Sequence, residues 1–223
     1  MMSKIFKLLK IILIIAVGCL VINKLYSSYK YIDETSFNTD EYVWVYDSQI
    51  YQQRINGNYE IFNFSEKNLK SNWASIDYRL IDQPQMGKYI FGFLISKSDS
   101  GFNYQKADKW FNQEQKEFGR FGEMWGSTGG KSPSELQTLI NENWLSIIIE
   151  LRQYSFYMFL FFLFIHGIFI LRIFKSVLLS IVSIAIFVFN PVLEWLSQVA
   201  SMDMFSIFFI YLSFIIFNNI YFS

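Results

Sequence analysis

Two neighbouring acids, Asp40 and Glu41, stand shortly after the first apolar run of the chain. Asn38-Thr39-Asp40-Glu41 has the form of a helix start, with Asn38 as cap and Glu41 reaching back to complete a capping box. Acids in a first helical turn are favoured as charged groups by the helix dipole. An ionised Asp40 could serve as a general base toward an acceptor hydroxyl within hydrogen-bond reach. Asp33-Glu34 is a rival pair closer to the apolar run. By residue chemistry alone, paired acids in a loop are more often solvated than catalytic.

Other chemistries find few residues to work with. One Cys and one His exclude a disulfide framework and a Cys/His metal cluster, so neither a divalent metal nor another cofactor is indicated. The 19 basic and 19 acidic side chains leave no net charge, which argues against a nucleic-acid partner. Gly130-Lys131-Ser132 has the ending of a phosphate-binding P-loop, but the first glycine of that motif would fall on Trp125. His166 lies alone within an apolar run, where a hydrogen bond to a neighbouring helix is the expected use, ahead of a proton relay.

What must position these residues is a set of membrane helices. The chain is 52% apolar and 20% aromatic, and all but seven of its charged residues lie between Lys24 and Arg152. The nearly charge-free flanks place it in a membrane. Ile5 to Ile22 makes a first span behind Lys4, Lys7 and Lys10, and Tyr154 to Leu171 a second. Ser176 to about Val192 and about Met204 to Phe217 predict a third and a fourth, both short. The positive-inside rule holds the N-terminus in the cytoplasm and puts Arg172 and Lys175 on the same side. The loop with Glu194 and Asp203, which lacks Lys and Arg, falls on the other side. The expected division is therefore 1–23 as first span, 24–152 as extracytoplasmic loop, and 153–223 as three further spans. The basic start, apolar core and Ala16-Val17-Gly18-Cys19 also fit a secretory or lipoprotein signal. Ala16 stands where a larger aliphatic residue is preferred, and three further spans leave no need for a lipid anchor.

Within the loop, Tyr42 through Arg54 predicts a helix ended by Asn56-Gly57-Asn58. Tyr89 to Ile95 is apolar but too short to span, and is expected to pack on the membrane face or dip into it. Ser132-Pro133-Ser134-Glu135 is a capping box with Pro at the first helical position. Leu136, Leu139, Ile140, Trp144, Ile147, Ile148 and Leu151 follow at helical spacing. They predict an amphipathic helix lying along the bilayer surface and leading into the second span, with packing against the loop as the alternative.

The spacing of the acidic pair adds a resemblance. About forty residues after Asp40-Glu41 comes Asp82-Gln83-Pro84-Gln85-Met86-Gly87-Lys88. The combination resembles the membrane glycosyltransferases of the protein O-mannosyltransferase family (family 39) and the aminoarabinose transferases that modify lipid A. Members begin with one span and a large extracytoplasmic loop that opens on an Asp-Glu pair. Later in that loop they carry an Asp-His-Pro-Pro-Leu-Gly-Lys or Lys-Pro-Pro-Leu type motif. Asp82, Pro84, Gly87 and Lys88 match that motif, while Gln83 stands in place of His or Lys and Gln85 in place of the second Pro. Arg152 at the opening of the second span and Asp203 before the fourth are similar to family positions as well.

The resemblance implies a mainly α, multi-pass, GT-C-like fold in the cytoplasmic membrane, with an interfacial amphipathic helix. It implies transfer of a sugar from a polyprenyl phosphate to an acceptor hydroxyl on protein, lipid or glycan, with inversion at the anomeric carbon. Asp40 would be the base and Glu41 its support. Gln83, Lys88, Arg152 and Asp203 would bind substrate, with Lys88 or Arg152 meeting the lipid phosphate. The resemblance covers roughly the first third of such enzymes, which implies a fragment that is inactive alone. The rival functions are a non-enzymatic membrane protein with an extracytoplasmic binding or sensing domain, and a transporter subunit. A transporter is expected to carry ionisable groups within several spans, and only His166 qualifies.

Overall fold

The computed structural model describes residues 2–35, 41, 44–45, 47–57, 85–102 and 142–221. Among them the regular structure is all helical: α1 (Met2–Lys30), α2 (Gln49–Ile55), α3 (Gln85–Lys97), α4 (Glu142–Phe174), α5 (Val177–Val188), α6 (Pro191–Gln198) and α7 (Met202–Tyr221).

Two helices are long and apolar enough to cross a membrane, α1 over Lys4–Lys30 and α4 over Leu145–Phe174. Helix α1 exposes Ile5, Leu8, Ile12, Ile15 and Ile22 along one side, as expected where lipid covers that side, and turns Val21 toward protein on another. The expected third span does not run straight to Val192. Helix α5 ends at Val188, and α6 leaves at a bend of 68°. The cause is local. Pro191 has no N–H with which to continue α5, and Asn190 Oδ1 accepts from the N–H groups of Val192 and Leu193 to cap a new helix. Counted together, α5 and α6 give a third candidate span, while the apolar part of α7, Met202–Asn218, is shorter. The four-span expectation is thereby reduced to two or three.

Helix α4 corrects the reading of the stretch before the second span. It runs unbroken from Glu142, so the described part of the expected surface helix and the span are one element. Ile147, Ile148 and Leu151 are fully buried, packed with Trp44, Val45, Phe91, Ile95, Met202 and Phe205. Their apolar face meets protein, not a bilayer surface. The proposed cap at residues 132–135 lies outside the described residues.

The predicted helix over 42–54 is interrupted: Trp44, Val45 and Asp47 are helical and Ser48 is a turn. Ser48 turns its hydroxyl back on the Val45 carbonyl, and α2 proper starts at Gln49. Its end falls where the sequence placed it, with Asn56 as C-cap and Gly57 at φ 77°, a left-handed conformation that suits glycine. Helix α3 is wedged between α2 and the start of α7. A Cβ at Gly92 would sit 2.3 Å from Tyr51 Cβ and 2.5 Å from the Ser48 carbonyl oxygen, and one at Gly87 would sit 2.8 Å from Met202 Cβ. Phe91 meets Phe205 edge to face, with ring centroids 5.6 Å apart. A second core, around Val21, Phe159, Phe162, Leu163, Val188 and Phe208, holds α1, α4, α5 and α7 together.

Candidate functional site

The first core is closed by a charged cluster. Arg152 follows Leu151 on α4, and its side chain is completely buried, as is that of Glu41. Arg152 Nε donates to Glu41 Oε1 at 2.8 Å and Nη2 donates to Oε2 at 2.7 Å, a fork-to-fork pair. Nη1 donates to the carbonyl oxygens of Ile32 at 2.8 Å and Thr35 at 2.9 Å, just beyond the end of α1. Glu41 Oε1 also accepts from the Ala200 N–H at 2.7 Å, in the link between α6 and α7. Three stretches far apart in sequence, 32–41, 152 and 200, thus meet on two side chains. An ion pair is tolerated out of water only with such additional hydrogen bonds, and removal of either partner leaves a buried charge.

The other described residues named from sequence lie on α3, at the start of α7 and just beyond α1. Lys88, three residues before Phe91 on α3, is fully buried. Gly87 beside it abuts Met202, so the Gly-Lys step lies against the start of α7. Asp203 is exposed in the first turn of α7, where the helix N-terminus favours an acid, and its N–H donates to Ser201 Oγ at 3.1 Å. Ser201 N–H in turn donates to Ser155 Oγ at 3.2 Å, one helical turn beyond Arg152. Asp33 and Glu34 are both exposed. Asp40 and Gln83 lie outside the described residues. The structure therefore pairs Glu41 with Arg152, buries Lys88 one turn before the core residue Phe91, and leaves Asp203 exposed.

The geometry revises one role. Arg152 was expected at a lipid phosphate, but its guanidinium faces Glu41 and backbone carbonyls within the protein. Glu41, expected beside a base, is the counter-ion of that arginine. Among the described residues no group of three or more His, Cys, Asp or Glu side chains is placed to hold a metal ion.

Sequence reasoning missed a second polar contact. Glu194, in the first turn of α6, forms an ion pair with Lys24 on α1 and accepts from Ser28 Oγ at 3.0 Å. Gln198 Oε1, one turn on, accepts from Thr35 Oγ1 at 3.3 Å. A signal was present: Lys24 and Glu194 each end a charge-free stretch, and opposite isolated charges in apolar surroundings tend to find each other. His166 pairs as expected, its Nδ1 sharing a hydrogen bond of 2.6 Å with Tyr211 Oη on α7.

Among the described residues the fold is all helical, with two or three candidate membrane spans gathered at one end by a buried arginine–glutamate pair. Comparison with protein families, with curated proteins and with solved structures finds no match for the chain.

Proposed function

We propose that the chain is a glycosyltransferase of the cytoplasmic membrane, moving a sugar from a polyprenyl-phosphate carrier to an acceptor hydroxyl on the extracytoplasmic face. Asp40 takes the proton of the acceptor hydroxyl as its oxygen attacks the anomeric carbon. The bond from that carbon to the phosphate oxygen breaks on the opposite side, inverting the centre and releasing polyprenyl phosphate. Lys88 meets the charge that develops on the leaving phosphate. Glu41 and Arg152 act as positioning residues that hold the loop against α4, and Gln83 and Asp203 bind substrate. The observation that supports this reading is the buried Glu41–Arg152 pair beside a core that also holds α3, the helix of Lys88, at the end of the candidate spans.

The test is transfer from a radiolabelled polyprenyl-phosphate sugar by the reconstituted chain and its Asp40→Asn variant. A lost general base lowers turnover by about 10²–10⁴-fold, with thermal unfolding unchanged. Unchanged transfer by the variant removes Asp40 as base. One observation favours a second reading, a non-enzymatic membrane protein with an extracytoplasmic binding domain: a pair as buried as Glu41–Arg152, bonded to backbone groups, also serves as a purely structural brace. In that reading neither protein transfers sugar.

A further inference from the structure

Helices α2 and α3 enclose an open hollow of about 560 Å³, lined by Tyr51, Met86, Tyr89, Ile90 and Phe93. Met86 and Phe93 are about half exposed, and Ile55 at the end of α2 is 63% exposed. The buried side of α3 carries Phe91 and Ile95, so one helix has two apolar faces and only one is used within the described core. A soluble surface rarely leaves a second such face open.

The position of α3 along α4 says what can cover it. Arg152 and Arg172 stand twenty residues apart on one helix, about 30 Å of rise, which matches the hydrocarbon thickness of a bilayer. The stretch Leu145–Leu151 therefore projects into the headgroup layer, and α3 packs on it. Phe91 and Ile95 meet Ile147, Ile148 and Leu151 in one core, and Ser98 just past α3 hydrogen-bonds Glu150. The chemistry of the open face suits that depth. Arg54 Nη1 donates to Tyr89 Oη at 2.6 Å with its guanidinium 5.3 Å from the ring centre, and Lys97 is exposed in the last turn of α3. Neither helix contains an acid. Aromatic side chains edged by cations and free of carboxylates are the composition of a bilayer interface.

We propose that the α2–α3 face is a lipid-contact surface, seated in the headgroup and upper acyl layer of the bilayer that holds the spans. Phe93 and Met86 face acyl chains, and Arg54 and Lys97 face lipid phosphates. The proposal does not depend on sugar transfer. Its test uses the full chain with Cys19→Ser, carrying a nitroxide at Phe93→Cys or at Asp99→Cys, in bilayers containing phosphatidylglycerol. Dissolved oxygen should relax the label at position 93 severalfold more strongly than a water-soluble nickel chelate does, with the order reversed at exposed Asp99. Nickel dominance at both positions would place the face in water and overturn the proposal. A label at 93 shielded from both reagents would mean that protein covers the face, which overturns it equally. Because Phe93 is already half exposed, the substitution spares the core, and circular dichroism checks that the helices persist.

Discussion

Arg152 and His166 sit on the same helix, both buried and both polar, yet they are handled in opposite ways. Arg152 lies at the edge of the apolar stretch of α4 and is met by a carboxylate and two backbone carbonyls. His166, about four turns further in, has a single tyrosine hydroxyl, with Phe162 and Phe187 as its other ring neighbours. A full charge can be kept buried only where a counter-charge and backbone acceptors are within reach, and those lie at the helix ends. Deep in the bundle most backbone groups are bonded within their own helices, so His166 meets the hydroxyl of a side chain on another helix. The contrast teaches that the charged pair organises connections between segments, whereas the neutral pair only registers α4 against α7.

The sharpest way to break this comparison is Glu41→Gln, which leaves Arg152 buried without its counter-charge. The expected loss is about 3–5 kcal/mol of stability, read from unfolding in detergent. The double variant Glu41→Leu with Arg152→Met should recover only part of it, because the pair vanishes together but the Ala200 N–H and the Ile32 and Thr35 carbonyls lose these partners. A smaller effect is expected from Gly92→Ala, which forces a Cβ into Tyr51 and the Ser48 carbonyl. Overpacking of this kind costs about 1–3 kcal/mol. Gly18→Ala, with nothing within 4 Å of the added carbon, is the matched control and should be neutral. The smallest change is expected from Tyr211→Phe, which removes the hydrogen bond to His166 at a cost of about 0.6 kcal/mol, the average for interhelical hydrogen bonds in membranes. A Tyr211→Phe loss as large as that of Glu41→Gln would end the distinction between the two regions.

Much of the helical frame was legible in sequence because hydrocarbon imposes a length and a composition. The first two candidate spans, the stop at Asn56-Gly57 and the isolation of His166 all follow from local residue chemistry. The break at Asn190-Pro191 was equally local, a cap followed by a helix-starting proline, but the hydropathy of the surrounding run masked it. The surface helix was misplaced for a different reason. The apolar stripe of Ile147, Ile148 and Leu151 looks the same whether lipid or protein covers it, and the covering residues Trp44, Val45 and Phe91 come from distant parts of the chain.

The candidate site divides in the same way. Glu41 could be nominated as half of an acidic pair, whereas Lys88 and Arg152 are nominated by the family resemblance. Which of them neutralise one another could not be read, because Glu41 and Arg152 are separated by more than a hundred residues and their contact is made by folding alone. Composition and periodicity determined that this chain makes long apolar helices with its charges held mostly in one segment. Only the tertiary structure decided that Arg152 turns toward Glu41 and that α3 offers one apolar face to the core and another outward, because the partner of a buried group is chosen by three-dimensional proximity and not by neighbours along the chain.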